Sequence, residues 1–547
     1  MTTEVRHGLP RRARNDQLAW VAALTLSLLL GACSKAPEPL AQTPAAAAAA
    51  HKTIAWVKPE GANIEPIFAQ ARAAKKPVYL YWGAVWCPPC NQIKATVFNR
   101  PDFIERSASF VPVYLDGDTP GAQKLGAQFK VRGYPTMILF RPDGSELTRL
   151  PGEVDALKYL EVLNLGLAAS SSVKELLALA FSAESAKLKP EDWRALAYYA
   201  WEQDEAQVVA QKERAATLHK LALACPSAQS EAATRLRLKA AVAAALDKTP
   251  PVDQTAAVSR LQQVLGDAAQ TRENSDILIN YGGELVGALS PAGSAERSNL
   301  LLQWNSALDR LTTDATLSQS DRLGAVAAKL TLAKLDLPKG AKFTPEAALL
   351  AQVRVAVASA DKAATDRYER QAVIPNAADV LSEAGLLDES DALLKTELPK
   401  AVSPYYHMLV LAANAKTRGD KAGSLDWAEQ AWKASQGPAT RLQWGSSYVN
   451  RLLELAPKDA ARIEQAAAGV LTELDAVPET FYERNRRGLE KMGQRLLAWQ
   501  AKGGSAPVVK RLSGQLDAVC AKLPAQDEAR AACSAVFKAG ALAANSK

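Results

Sequence analysis

Two hydrophobic rhythms divide the chain. Between residues 53 and 168, short apolar runs alternate with amphipathic stretches. Runs rich in β-branched and aromatic residues at 77–82, 111–116, 136–141 and 146–150 predict strands, with a shorter one near 53–57. Helical spacing predicts helices at 64–75, from residue 87 onward, at 102–109, 121–130 and 155–168. Pro142-Asp143-Gly144 marks a turn between two of the strands. Such alternation predicts an α/β unit, a central mixed sheet covered on both faces by helices. From 169 to 547 the rhythm changes. Alanine and leucine dominate, prolines punctuate, and apolar residues fall at helical spacing, as in Val508, Leu512, Leu516, Val519 and Leu523. Roughly 375 residues of nearly pure helix are economically arranged as stacked pairs in a solenoid. Gly385 and Gly419 stand 34 residues apart, the period of a tetratricopeptide unit, but the next position in that series is Leu453. A degenerate tetratricopeptide-like superhelix and generic helical pairs are both open. Trp193, Tyr198, Tyr199, Trp201, Trp432 and Trp444 fit a helical core better than a peptide-binding stripe.

The first 32 residues read differently. Arg6, Arg11, Arg12 and Arg14 precede an apolar run over 18–30. That run is too short to span a bilayer and fits the core of a signal peptide. Arg11-Arg12 lacks the rest of a twin-arginine motif. Leu30-Gly31-Ala32-Cys33 resembles a bacterial lipobox, which implies lipidation at Cys33 and anchoring to a membrane; Ser34 after it favours the outer membrane, facing the periplasm. An ordinary cleaved signal and a soluble periplasmic protein is the alternative. Residues 33–52, rich in proline and alanine, read as a tether. The expected organisation is therefore a signal at 1–32, a tether at 33–52, an α/β domain at 53–168 and a helical domain at 169–547.

Charge narrows the partners. The 547 residues carry a formal charge of +7, of which +2 lies in residues 1–32. The rest is mild and scattered, so no nucleic-acid face is expected.

Chemistry concentrates at Trp86-Cys87-Pro88-Pro89-Cys90. Two cysteines separated by two residues can cycle between dithiol and disulfide, and here they open a helix after a strand. Unpaired N–H groups and the helix dipole favour the Cys87 thiolate there. A structural zinc site would need four ligands, yet the next cysteine is Cys225 and the histidines are His7, His51, His219 and His407. Haem attachment needs His where Asn91 stands. A Cys–His hydrolase dyad could draw its histidine only from a distant segment. A redox pair is the reading that remains, against an inert closed disulfide. Downstream, Tyr134-Pro135-Thr136 leads into an apolar run. A proline entering a strand is tolerated when its peptide is cis.

Together the W-C-P-P-C after a strand, the G-Y-P-T about 45 residues later and the Pro-Asp-Gly turn resemble the thioredoxin superfamily over about residues 53–168. The stretch from Ala95 to Phe103 is similar to periplasmic members, including the C-terminal domain of the electron conduit DsbD. The resemblance implies Cys87 as attacking thiol, Cys90 as resolving thiol, Pro135 as cis-proline, and Trp86 and Tyr134 beside an extended substrate. It implies a thiol–disulfide oxidoreductase without a cofactor or metal. Its partners would be proteins bearing disulfides and a DsbD-like donor or acceptor. The chain departs from the family where a buried acid usually stands six residues before the first cysteine: here it is Tyr81. Asp116 and Asp118 are nearby in sequence without an assigned place. Pro88 and Pro89 supply no N–H, so the Cys87 sulfur depends mainly on the Cys90 amide. That favours reduction or exchange over strong oxidation. The alternative is an assembly scaffold in which the helical region acts and the redox pair senses or stabilises. Cys520 and Cys533 flank Pro524 in a helical hairpin and form a plausible structural disulfide. Cys225 is left unpaired.

Overall fold

The computed structural model describes residues 53–538 apart from Arg132, Glu205, 250–252 and Lys339. The expected signal, the tether and Cys33 lie outside the described residues. The α/β unit runs α1 (Glu65–Ala74), β1 (Val78–Gly83), α2 (Pro88–Ile93), α3 (Pro101–Arg106), β2 (Val111–Asp116), α4 (Pro120–Gln128), β3 (Thr136–Phe140), β4 (Glu146–Leu150) and α5 (Ala156–Ala168). The sheet order is β2-β1-β3-β4. β1 pairs parallel with β2 and antiparallel with β3, and β3 pairs antiparallel with β4.

β1 is buried along its whole length, which explains its unbroken apolar run. Its side chains alternate between two cores. Val78, Leu80 and Trp82 face α1 and α4 together with Ile67, Phe68 and Leu125. Tyr79 and Tyr81 face the opposite layer, with Cys87, Cys90, Ile93, Phe98, Phe103, Tyr159 and Leu163. α5 begins where Asp155 accepts the Leu157 amide at 3.1 Å.

The expected strand near 53–57 reduces to one bridging residue. Val57 donates its amide to Pro112 O at 2.8 Å and accepts from Tyr114 N at 2.9 Å. Trp56 turns instead into the aromatic cluster, with ring centroids 5.1 Å from Phe98 and 5.8 Å from Tyr81. Pro59 follows and has no N–H to extend the ladder. The helix opened by the cysteine pair changes at Lys94–Phe98 to a π-helical turn, a form frequent beside functional sites.

Among the described residues, every regular element from Val173 onward is helical. Gly385 and Gly419 follow the Arg367–Glu383 and Pro404–Arg418 helices with φ of +82° and +80°, the left-handed conformation that ends a helix. Each leads into a second helix, Leu387–Glu397 and Lys421–Ala434. Leu453, the next position in that series, lies inside the Pro438–Leu455 helix. Trp193, Tyr198, Tyr199 and Trp201 are buried in the core rather than displayed as a stripe.

The helical region wraps the α/β unit. The fully buried Arg149 guanidinium on β4 donates to the carbonyls of Phe129 at 2.6 Å, Lys130 at 3.1 Å and Gln203 at 3.0 Å, and to Glu146 at 2.9 Å. The Ala200 amide donates to Arg149 O at 3.2 Å, occupying an edge that would otherwise be open. Beyond α5, Arg272 binds Asp155 at 2.8 Å. At the far end a disulfide joins Cys520 and Cys533, with Cα atoms 5.7 Å apart. Cys225 is buried and free, and burial raises its thiol pKa to about 11.

Candidate active site

Cys87 occupies the N-cap of α2 with extended backbone, and Pro88 and Pro89 fill the first two helical positions. Proline is favoured there because the first amides of a helix lack partners anyway. The consequence falls on sulfur: the Cys90 amide donates to Cys87 Sγ at 3.3 Å. The two cysteines are disulfide-bonded, with Cα atoms 5.2 Å apart. Asn91, fully buried, donates to the carbonyls of Val85 at 2.7 Å and Cys87 at 3.0 Å and so holds the turn before the helix. The Tyr134–Pro135 peptide is cis. The Tyr134 ring meets the Trp86 ring edge to face at 5.8 Å. Tyr134 donates its hydroxyl to Gly117 O at 3.0 Å. Gly117 has to be glycine, since a Cβ there would collide with the Tyr134 ring.

Tyr81 offers no replacement for a buried acid. It is stacked on Tyr114 at 5.4 Å, its hydroxyl has no hydrogen-bond partner, and burial raises its pKa well above the ordinary value. Asp118 points elsewhere, into the helical region. Its carboxylate accepts the Thr440 amide at 2.5 Å and its carbonyl accepts the Ala439 amide at 3.3 Å. These are the orphan amides at the start of the Pro438–Leu455 helix. Asp118 therefore caps a helix some 320 residues downstream. Gly437 precedes that helix with φ of +82°, and any Cβ on it would fall on the Asp118 carboxylate. Burial pushes the Asp118 pKa up to about 6, against the lowering effect of its bonds to Thr440.

The helical region covers the whole redox face. Trp86 Nε1 donates to Thr440 Oγ1 at 2.9 Å. Gln371 Nε2 donates to Trp86 O at 3.4 Å, and its Oε1 accepts the Ser403 amide at 3.0 Å. Gln92 on α2 donates to Asp321 at 2.8 Å. Tyr406 stacks on Trp86 with centroids 5.9 Å apart and an angle of 17°, and Trp444 meets it at 4.8 Å. The Arg484 guanidinium lies over Tyr134 at 4.7 Å and over Trp86 at 5.5 Å. Beneath this layer Cys87 is 3% exposed and Cys90 is 0% exposed.

The structure thus brings Trp86, Cys87, Cys90, Tyr134 and Pro135 into one place, with Cys520 and Cys533 elsewhere. The sequence reading missed Thr440, Gln371, Tyr406 and Arg484. Trp444, read there as core, lies at this face. No local pattern could announce contacts between segments 285 and 354 residues apart. Among the described residues no group of three His, Cys, Asp or Glu side chains could hold a metal.

Comparison with known proteins places this site in a wider set. Residues 65–166 match the family model described as Thioredoxin-like domain. The chain is 34% identical over 116 residues to the thiol:disulfide interchange protein DsbD of Pseudomonas fluorescens, covering 20% of each chain. It is 32% identical over 154 residues to DsbD 2 of Pseudomonas aeruginosa, covering 26% of this chain and 25% of that one. The chain thus spans about a fifth to a quarter of the length of these relatives. A solved structure of a DsbH oxidoreductase is 22% identical, covering 24% of this chain and 94% of its own, with a TM-score of 0.19.

Proposed function

We propose that this chain, which carries a thioredoxin-like domain followed by a large all-helical region, is a periplasmic thiol–disulfide oxidoreductase anchored to a membrane through Cys33. The observation that carries the redox reading is a C-x-x-C pair at a helix N-cap beside a cis Tyr134–Pro135 peptide. In the reduced enzyme the Cys87 thiolate attacks one sulfur of a partner's disulfide. A mixed disulfide forms and the partner's other sulfur leaves as thiolate. Cys90 then loses its proton and attacks Cys87 Sγ, releasing the second partner thiolate and closing the Cys87–Cys90 disulfide. Two electrons pass to the partner, whose thiolates take up two protons. With Tyr81 in place of an acid, solvent accepts the Cys90 proton. A DsbD-like conduit would return the pair to the dithiol.

The helical region decides which partners reach Cys87, because exchange requires Tyr406, Trp444 and Arg484 to move off Trp86. Among the described residues no single helix is long and apolar enough to cross a membrane, so the anchor rests on the lipobox resemblance alone.

The test is insulin reduction. The full chain should catalyse it and Cys87→Ser should not. Capture of partners by Cys90→Ala should yield mixed disulfides at Cys87. The Cys87 thiolate in Cys90→Ala should be only moderately stabilised, and the potential should lie nearer about −270 than −120 mV. The covering of the cysteines favours a second reading, a scaffold in which the pair stabilises the fold; equal activity of wild type and Cys87→Ser would select it.

A further inference from the structure

The helical region lays a cation on the redox face. The Arg484 guanidinium lies over the Tyr134 ring at 4.7 Å and over the Trp86 ring at 5.5 Å. Both rings belong to the α/β unit and flank its chemistry. Trp86 precedes Cys87, and Tyr134 precedes the cis Pro135. The two rings meet at 81° with centroids 5.8 Å apart, so their faces form a corner rather than a flat surface. A cation set into it is attracted by both ring quadrupoles, and most strongly where water is excluded. Water is excluded here, since loss of hydration lowers the Arg484 pKa.

The Tyr134 side of this corner is built without the cover. The Tyr134 hydroxyl donates to Gly117 O at 3.0 Å and accepts from Gln123 Nε2 at 3.1 Å. Its ring packs against Trp82 with centroids 4.7 Å apart. All three supports lie in the α/β unit. The charges around it divide in the same way. Arg484 lowers the Tyr134 pKa, whereas Asp118 and Asp116 raise it. Those two carboxylates stay behind when the helical region moves away, and Arg484 leaves with it. Opening also takes the Thr440 amide off Asp118. The uncovered corner is then two aromatic faces with two carboxylates nearby, a setting that favours a cation.

We infer that the Trp86–Tyr134 corner receives a cationic side chain, arginine above lysine, beside the disulfide of a partner protein, and that Arg484 holds its place in the covered chain. A planar guanidinium stacks on aromatic faces better than a compact ammonium. The partner's sulfur must reach Cys87 Sγ, which brings the residues beside it against Trp86 and Tyr134. That the cation belongs to a disulfide-bearing partner rests on the redox reading; the corner itself does not.

Two experiments test this. The first uses the reduced full chain and two short peptides that differ at the residue after cysteine, arginine in one and its uncharged isostere citrulline in the other. Each cysteine carries thionitrobenzoate in disulfide linkage. The Cys87 thiolate attacks the peptide sulfur, a Cys87–peptide disulfide forms, and thionitrobenzoate leaves as the coloured thiolate. Dividing each rate by that with dithiothreitol removes the peptides' own reactivity. The arginine peptide should react about 3- to 30-fold faster, the span of cation–π attraction from exposed to desolvated sites. Tyr134→Phe should keep the preference, and Tyr134→Leu, checked for folding by circular dichroism, should cut it by at least about half. Wild-type rates within about twofold of each other, or a preference unchanged in folded Tyr134→Leu, overturn the inference. The second experiment uses the oxidised Arg484→Ala chain. Ethylguanidinium should raise its melting midpoint relative to wild type, by about 2 °C at ten times the dissociation constant, and ethylurea should not. Equal response to the two compounds overturns the inference. No thiol takes part in this second experiment, so release from neither peptide with the ethylguanidinium effect intact overturns only the redox reading.

Discussion

Thr440→Val should uncover Cys87. In the closed arrangement Thr440 Oγ1 accepts the Trp86 indole N–H at 2.9 Å, and both residues are buried. Valine keeps the shape and β-branching of threonine and leaves the Thr440 amide on Asp118 in place. What is lost is the acceptor, which strands a buried indole donor, together with the bond between the Thr440 hydroxyl and the Asp118 carboxylate. Such a group costs about 1–3 kcal/mol. When the helical region swings away, Trp86 meets water and the cost disappears, so the change acts on the closed state alone. At 1.4 kcal/mol per factor of ten, the open population should rise about 5- to 150-fold. The assay is alkylation of Cys87 by iodoacetamide in a Cys90→Ala background at fixed pH, read by peptide mass. With opening fast and alkylation slow, the rate follows the open population, and Thr440→Val should raise it by that factor. An unchanged rate in a folded variant would refute the role of this junction. Wild-type alkylation as fast as that of a free thiol of equal pKa would refute the closure itself.

Asp118 titrates near pH 6 in the folded chain because burial disfavours its charge, against an ordinary value of 3.8. A raised carboxyl pKa means that its burial is best tolerated below about pH 4 and costs stability as pH rises through 6, by roughly 3 kcal/mol at most. Asp118→Asn keeps an acceptor for the Thr440 amide and should flatten the change in urea midpoint between pH 4 and 7; an identical pH profile would contradict this. Cys520 and Cys533, 13 residues apart, close a loop worth about 3 kcal/mol in the chain-entropy model. Their double serine variant should unfold at correspondingly lower denaturant, and mapping without reduction should find the two peptides linked. Cys33→Ser should abolish labelling by a palmitate analogue and release the protein from membranes; wild type that is unlabelled and soluble would end the anchor proposal.

What the sequence made legible follows from how locally each feature is determined. The 111–116 and 146–150 strands were read to the residue because apolar alternation and the Pro142-Asp143-Gly144 turn act over a few positions. The cysteine pair at a helix start was readable from the strand before it and the prolines inside it. The segment at 53–57 was misread because its apolar residues serve a cluster around Phe98 rather than a ladder. Asp118 could be named but not placed, since its partner is the start of a helix over 300 residues away. Trp444 was read as core, and it is buried; that its buried face is Trp86 belongs to tertiary arrangement alone.

The cap supplied by Asp118 has a consequence in time. Thr440 is made 322 residues after Asp118. At a synthesis rate of about 5–20 residues per second, that interval is roughly 16–64 s. A thioredoxin-like unit completed near residue 168 therefore exists first without its cover. From there to Thr440, about 270 residues and so roughly 14–54 s, Cys87 and Cys90 lack the cover that Tyr406, Thr440 and Trp444 supply. Tyr406 and Trp444, which close over Trp86 beside the pair, belong to the last third of the chain to be made.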